Sequence, residues 1–338
     1  MFHRYKNYDL TQHNTFGITA YCNTFIEYES VEDLQHFLQD EPNFLQTPYL
    51  HIGGGSNLVF TNDFAGTILH SCIKGKEVTE HTDHVIVKTG SGENWDEFVA
   101  WCIDNEYYGL ENLSFIPGEV GASAVQNIGA YGSEVKDFIT EVETINLSTG
   151  ERHLFSAYEC QYAYRHSIFK DELKGQFAIT HVSFKLTKSF CPNISYGALQ
   201  ASLNEKGITN PTAQDVRKTV IEVRSQKLPD PSVLGNAGSF FMNPVISEEH
   251  FFKLKTCYPN IPNYPTNNGI KIPAGWLIEQ CGWKGKRVGN AGVYEKQALV
   301  LVNHGGADGN EIKNLAHTIA NDIEQKFGIS LRPEANFI

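Results

Sequence analysis

A chain of 338 residues with 41% hydrophobic and 20% charged side chains has the make-up of a globular protein with room for two or three domains, and no apolar run nears the ~20 residues that cross a bilayer. The formal charge of -12 is spread along the chain without basic blocks, which argues against nucleic acid and anionic membrane as partners. Seven scattered cysteines, none in a C-x-x-C pair, read as buried thiols rather than a disulfide framework or zinc knuckle, and a start without an apolar leader segment points to the cytoplasm.

In chain order, Ile26–Tyr28 reads as a strand. Ser30, with Asp33 three residues on, has the form of a capping box opening an amphipathic helix. Tyr49–Ile52 reads as a strand that runs straight into Gly53, Gly54, Gly55, Ser56, Asn57 and Leu58. His84–Thr89 is strand-like and leads to a second glycine segment, Gly90, Ser91 and Gly92. Asn94 to Asn105 is expected as a helix with Trp95, Phe98, Val99 and Cys102 on one face. The longest glycine segment runs from Ile116 to Gly132. Period-two alternation predicts strands at Val142–Leu147 and Ala178–Leu186. Thr212 to Gln226 is expected as a helix with Asp215 early and Arg217, Lys218, Arg224 and Lys227 crowding its later part, closed off by Pro229 and Pro231. A last helix, Asn310 to Phe327, should stop at Gly328, with Ile329–Glu334 following as a terminal strand.

The glycine segments let successive backbone N–H groups converge on an anion without interference from a Cβ. Each alone reads as a tight turn; three between residues 53 and 132, two of them directly after a strand, point to a dinucleotide. No G-x-G-x-x-G follows a strand and no G-x-x-x-x-G-K-[ST] occurs, so the cradle is of neither the Rossmann nor the P-loop kind. Arg165, between Tyr164 and His166, is either a clamp for a carboxylate or for developing negative charge, or a surface arginine in a strand-turn. Ser239 has small residues on one side and Phe240 and Phe241 on the other, as suits a hydroxyl held at a pocket mouth, or a plain turn serine; the G-x-S-x-G elbow of a serine nucleophile is absent. Glu334 lies in an apolar tail expected to be docked, either paired with Arg332 or kept for acid-base work. None of thirteen histidines forms H-x-H or H-E-x-x-H, so no metal is expected.

Taken in order, N-T-F-G-I (14–18), G-G-G-S-N-L (53–58), G-S-G-E-N-W (90–95), I-P-G-x-V-G-A-x-x-x-Q-N-I-G-A-Y-G (116–132), Y-R-x-S-I-F-K (164–170), K-L-P-D-P (227–231), G-N-A-G-S-F-F-x-N-P (235–244), A-G-W-L-I-E-Q (274–280) and R-P-E-x-x-F-I (332–338) resemble the UDP-N-acetylenolpyruvoylglucosamine reductase family over nearly the whole chain. The resemblance implies an α+β protein: an FAD-binding domain of the vanillyl-alcohol oxidase type in two α+β lobes, 1–75 (joined by the tail 329–338) and 76–207, followed by a C-terminal α+β substrate-binding domain, 208–328. It also implies NADPH-dependent reduction, through non-covalent FAD, of the enolpyruvyl ether of UDP-N-acetylglucosamine to UDP-N-acetylmuramate in peptidoglycan precursor synthesis, by a cytoplasmic monomer.

Carried over residue by residue, Ser239 matches the position that protonates the substrate carbanion, and Arg165 and Glu334 those that stabilise it. Cofactor contacts fall on Gly53, Gly54, Gly55, Ser56, Asn57, Leu58, Gly90, Ser91, Gly92, Ile116, Pro117, Gly118, Gly121, Ala122, Gln126, Asn127, Gly129, Ala130, Tyr131 and Gly132. Substrate contacts fall on Tyr164, Tyr196, Lys227, Asn243 and Gln280, and Ser195-Tyr196-Gly197 resembles the type of this family with a tyrosine lid. Met242 stands where a lysine often occurs, which removes a phosphate or NADPH contact. Two other readings are an FAD-dependent oxidase of the same fold, disfavoured by Ser239 with Glu334 and the lack of a histidine flavin-linkage motif, and a non-catalytic binding module, which would have lost one of the three.

Overall fold

A computed structural model describes residues 1–338, which fall into two compact units. The first comprises Met1–Tyr8, Cys22–Gly54 and Ala65–Arg224, the second Asp9–Tyr21, Gly55–Phe64 and Ser225–Ile338.

Two sheets organise the first unit. In one, four strands run in the order His3–Asp9, Tyr21–Tyr28, Phe64–Ser71, Tyr49–Ile52, the last two parallel. Val31–Asp40 is the helix expected after Ser30, whose hydroxyl accepts from the Asp33 N–H. Asp33 does not return to Ser30 to complete the box; its carboxylate takes the Glu29 N–H and the chain-terminal amine instead. Leu34 and Phe37 of this helix bury against Ile26, Tyr28 and Leu69 of the sheet.

The second sheet is antiparallel, in the order Arg152–Ser156, Ile139–Asn146, Phe177–Thr187, His84–Gly90, Lys76–Glu80. The alternation read from the sequence is that of a sheet with one face buried: Val182, Phe184 and Leu186 face Trp95, Phe98 and Val99 of the helix Trp95–Asp104. Asn94 proves to be its cap rather than its first residue, accepting the Glu97 N–H.

The second unit is built on the antiparallel sheet Gly235–Ser239, Val300–Asn303, Ala291–Val293, Arg287–Val288, packed by the helices Ala274–Gln280 and Gly309–Phe327. The long helix has a full capping box, Asp308 with Glu311, and ends on Gly328 at φ 64°, as the sequence suggests. The expected strand Ile329–Glu334 is corrected. Only Asn336–Phe337 is a strand, parallel to Leu58–Val59, because Pro333 has no N–H to extend a ladder and contributes one isolated bridge to Phe241.

Candidate functional site

Gly53 and Gly54 of the first glycine segment meet the other two segments within the first unit. The strand Tyr49–Ile52 delivers Gly53 and Gly54 to the turn before the helix Val120–Gln126: a Cβ at Gly53 would stand 3.0 Å from Glu119 Oε2 and 3.3 Å from Ala122 Cβ, and one at Gly54 3.7 Å from Gly118 Cα. Gly121 lies so close to the second segment that its Cβ would meet the Ser91 Cβ at 2.8 Å. Hydrogen bonds from the N–H groups of Gly121 to Ser91 O (2.9 Å), Val120 to Glu93 O (2.9 Å) and Trp95 to Gly118 O (3.0 Å) lock the two together. Gly90 and Gly92 press on the chain at 71–73, where their Cβ atoms would fall 2.3 Å from Ile73 O and 2.4 Å from Ser71 O. Backbone at Gly90 and Gly92, and the side chains of Glu119, Ala122 and Ser91 at Gly53 and Gly121, leave little room for a Cβ, so these glycines allow the segments to pack closely, with the amides of Gly90, Ser91, Gly92 and Gly121 bonded to protein carbonyls.

Behind it runs a polar chain that no sequence motif revealed. Glu119 Oε1 lies 3.0 Å from His70 Nε2, and His70 Nδ1 lies 3.3 Å from Glu27 Oε1. Burial works against a charge on His70, yet its bonds to Cys72 and Glu119 outweigh this and lift it to about 10. His51, beside it and bonded to the Tyr28 hydroxyl (2.7 Å), is pushed down to about 4 by burial and by the charge on His70.

Arg165 also belongs to the first unit. Its guanidinium donates to Gly129 O (3.0 Å) and Asn127 O (3.4 Å), with the Tyr164 ring 5.5 Å away. Three non-glycine residues around it hold left-handed backbone: Asn127 (φ 45°), Tyr131 (φ 49°) and Arg165 (φ 55°). Such conformations cost about 1–3 kcal/mol each and gather at functional sites. Here they are held by the buried Asn127 amide, which donates to Ala163 O (2.7 Å) and Glu134 Oε2 (3.0 Å), and by Lys170 Nζ on Arg165 O (3.0 Å). Gly129 and Ala130 form a two-residue strand with Ser133–Glu134, turning through Gly132 at φ 82°. Tyr131 meets the half-exposed Tyr196, the lid candidate, edge to face at 5.4 Å. Gln126, Ile116 and Gly118 are half-buried, and Pro117 is exposed.

The cations of helix Ala213–Lys227 divide. Arg217 forks onto Asp96 (2.6 and 2.8 Å), while Arg224, pushed down by burial, gives its Nε–H to Phe115 O (3.1 Å). Lys227 is exposed at the last residue. The Asp96 pairing was invisible to sequence reasoning because the partners lie 121 residues apart.

In the second unit, Ser239 and Glu334 come together through backbone. Ser239 ends its strand opposite Val300, and the next three residues run against the tail: Glu334 N–H to Phe240 O (2.8 Å), the Phe241–Pro333 bridge, and Met242 N–H to Arg332 O (3.0 Å). Asn57, from the first glycine segment, gives its amide to Glu334 O (2.9 Å). Gly55 (φ 68°) sits where a Cβ would strike His13 O at 1.8 Å, against the start of the N-T-F-G stretch at Asn14. Asn14 binds its own loop through Leu10 O and Ile18 O, and Asn303 Nδ2 reaches Phe16 O at 2.9 Å. Asn243 accepts the Ala274 N–H (2.9 Å) at one end of the helix Ala274–Gln280, and Gln280 is exposed at the other.

Residues 23–156 match the profile of an FAD binding domain, and residues 230–338 that of the UDP-N-acetylenolpyruvoylglucosamine reductase C-terminal domain. The UDP-N-acetylenolpyruvoylglucosamine reductase of Bacteroides fragilis is 50% identical over 336 residues, covering 98% of this chain and 99% of its own. The chain belongs to this reductase family. The Porphyromonas gingivalis reductase is likewise 50% identical, over 335 residues and 98% of each chain. The crystal structure of the Thermus caldophilus reductase superposes with a TM-score of 0.67 at 20% identity, covering 100% of this chain and 98% of that one, so the fold is shared. As a member of the reductase family, the chain is an α+β, FAD-carrying oxidoreductase of peptidoglycan precursor synthesis. No helix in it is long and apolar enough to cross a membrane.

Proposed function

We propose that this chain uses NADPH to reduce UDP-N-acetylglucosamine enolpyruvate to UDP-N-acetylmuramate, with Ser239, Arg165 and Glu334 handling the charge and the proton. The observation that carries the assignment of roles is the antiparallel seam between 240–242 and 332–334, in which the residue after Ser239 is bonded through backbone to Glu334. The glycine junction of Gly53, Gly54, Gly118, Gly121 and Ser91 supports FAD there, since it brings chain without side chains together where a Cβ at Gly53 or Gly121 would crowd Glu119, Ala122 or Ser91. When bound, FAD supplies a hydride, originating on NADPH, to the terminal vinyl carbon of the substrate.

Hydride addition leaves negative charge on the carbon bearing the carboxylate, an aci-carboxylate that needs cations and a proton. Arg165 answers the first need: two carbonyls and a tyrosine ring hold its guanidinium in one orientation, so little reorganisation is required as charge develops. Ser239 answers the second. A hydroxyl is a weak acid, so the transfer depends on placement against the carbanion rather than on free acidity; the pairing of Ser239 with Val300 at the end of the strand Gly235–Ser239 supports that reading. Glu334, half-buried and fixed through both its N–H and its C=O, stabilises the intermediate as it is quenched. Tyr164, Tyr196, Lys227, Asn243 and Gln280 hold the nucleotide sugar, with Tyr196 as the lid; its exposure and its edge-to-face contact with Tyr131 support that role.

The purified protein should be yellow and should consume NADPH only when the enolpyruvyl nucleotide sugar is added. A colourless preparation that FAD does not reconstitute, or rapid reoxidation of the reduced flavin by air in place of substrate, overturns the proposal.

A further inference from the structure

Glu27, His70 and Cys72 come from neighbouring strands of the four-stranded sheet, Tyr21–Tyr28 and Phe64–Ser71, Cys72 standing one residue past the second. Their donor atoms form a small triangle: His70 Nδ1 to Glu27 Oε1 is 3.3 Å, Cys72 Sγ to His70 Nδ1 3.7 Å, and Cys72 Sγ to Glu27 Oε1 3.8 Å. A tetrahedral zinc ion with bonds of about 2.0 Å to N and O and about 2.3 Å to S sets these same edges at about 3.3, 3.5 and 3.5 Å. The triangle is therefore already of the size that one cation spans, with no edge off by more than about 0.3 Å.

We propose that Glu27 Oε1, His70 Nδ1 and Cys72 Sγ bind a single divalent transition-metal cation, zinc above others, with water completing the tetrahedron. Three features beyond the spacing support this. The donors match the ion: a carboxylate and a thiolate cancel its two charges and the imidazole adds a neutral ligand, and a sulfur donor favours zinc over magnesium, calcium or manganese. His70 has its outer partner in place, since Nε2 faces Glu119 Oε1 at 3.0 Å, the carboxylate–histidine arrangement that orients a metal-bound imidazole. The site is also reachable, because the side chains of His70 and Glu27 retain 11% and 24% exposure, which leaves a path for the ion and for the fourth ligand. Binding releases the proton of the Cys72 thiol and any proton on His70 Nδ1 to solvent, and no electron is transferred.

The location gives the site a consequence. Glu119 reaches from His70 to the glycine junction, its Oε2 standing 3.0 Å from where a Gly53 Cβ would be. An ion that fixes His70 thereby fixes the carboxylate beneath the cofactor cradle. The proposal does not depend on the catalytic roles given above, and its test needs no turnover.

The FAD-loaded full chain, freed of metal with a chelator, is titrated with cobalt(II). One equivalent should produce tetrahedral cobalt–thiolate absorption to the red of the flavin bands, and zinc should abolish it by displacement. Cys72→Ser and His70→Gln should remove the signal while retaining the flavin spectrum, and Cys22→Ser and Cys191→Ser should keep it. Glu119→Gln should weaken binding by about 10–100-fold, as loss of an outer partner does. Absence of the bands in the unmodified chain, or their survival in Cys72→Ser, overturns the proposal and leaves a hydrogen-bonded trio only. A second measurement requires no variant: zinc should protect Cys72, but not the exposed Cys191, from alkylation followed by mass spectrometry. Equal labelling of Cys72 with and without zinc contradicts the site.

Discussion

The two units hold the residues proposed for the chemistry by different means. In the first, Arg165 is pinned by side-chain bonds, guanidinium to Asn127 O and Gly129 O, on a loop whose strained turns depend on the buried Asn127 amide. In the second, Ser239 and Glu334 are placed almost wholly by backbone, through the seam between 240–242 and 332–334 and the Asn57 amide on the Glu334 carbonyl. A side chain that is positioned by backbone can be replaced without moving its surroundings; one that is itself part of the scaffold cannot. Substitutions in the second unit should thus separate chemistry from structure, whereas those around Arg165 should mix them.

The largest effect that breaks this comparison comes from the backbone frame of the second unit. Gly55→Ala places a methyl 1.8 Å from His13 O at a left-handed φ, so it should cost more than about 4 kcal/mol and leave little soluble protein. Gly17→Ala, also left-handed but with open space around it, should cost only about 1–2 kcal/mol in urea unfolding. Arg165→Met tests the other half: it removes stabilisation of developing charge and should lower kcat by about 10²–10³-fold. Its Tm should fall as well, since the guanidinium also ties down Gly129.

A pH series sharpens the contrast within the first unit. His51 titrates at about 4 in the folded chain, below the ordinary value of roughly 6.5, so the folded state disfavours its charge. The stability it contributes is present in full above pH ~6.5 and is lost as pH falls towards 4, by about 1.4 kcal/mol per unit and about 3 kcal/mol in all. Urea unfolding at pH 7 and pH 5 should show the loss, and His51→Gln should flatten it. Smaller still is Arg217→Ala, which leaves the Asp96 carboxylate with only the Phe115 N–H and should cost about 2 kcal/mol.

Much of this was legible in the sequence, and the exceptions have physical reasons. Glycine segments announce themselves because only glycine tolerates the approaches at Gly90, Gly92 and Gly121, and helix ends such as the Ser30 cap and the Gly328 stop act within one turn, whereas the Asp308 cap was not read. The tail was misread because Ile329–Leu331 has a strand's composition, whereas Pro333 limits what can pair and the ladder forms only at Asn336–Phe337. The individual readings of Ser239 and Glu334 stayed open because the seam joining them lies between segments almost a hundred residues apart. The Glu27, His70 and Cys72 cluster shows locally only as His70-x-Cys72, since its carboxylate and its imidazole are 43 residues apart and meet only through strand pairing.

The claim that the seam serves chemistry is tested most directly by stopped-flow kinetics of Ser239→Ala, following the two half-reactions of the flavin separately. Reduction by NADPH should stay near the unmodified rate, while reoxidation by the enolpyruvyl nucleotide sugar should slow by about 10²–10⁴-fold, the usual range for loss of a general acid. Equal slowing of both halves would contradict the account and make Ser239 a structural residue.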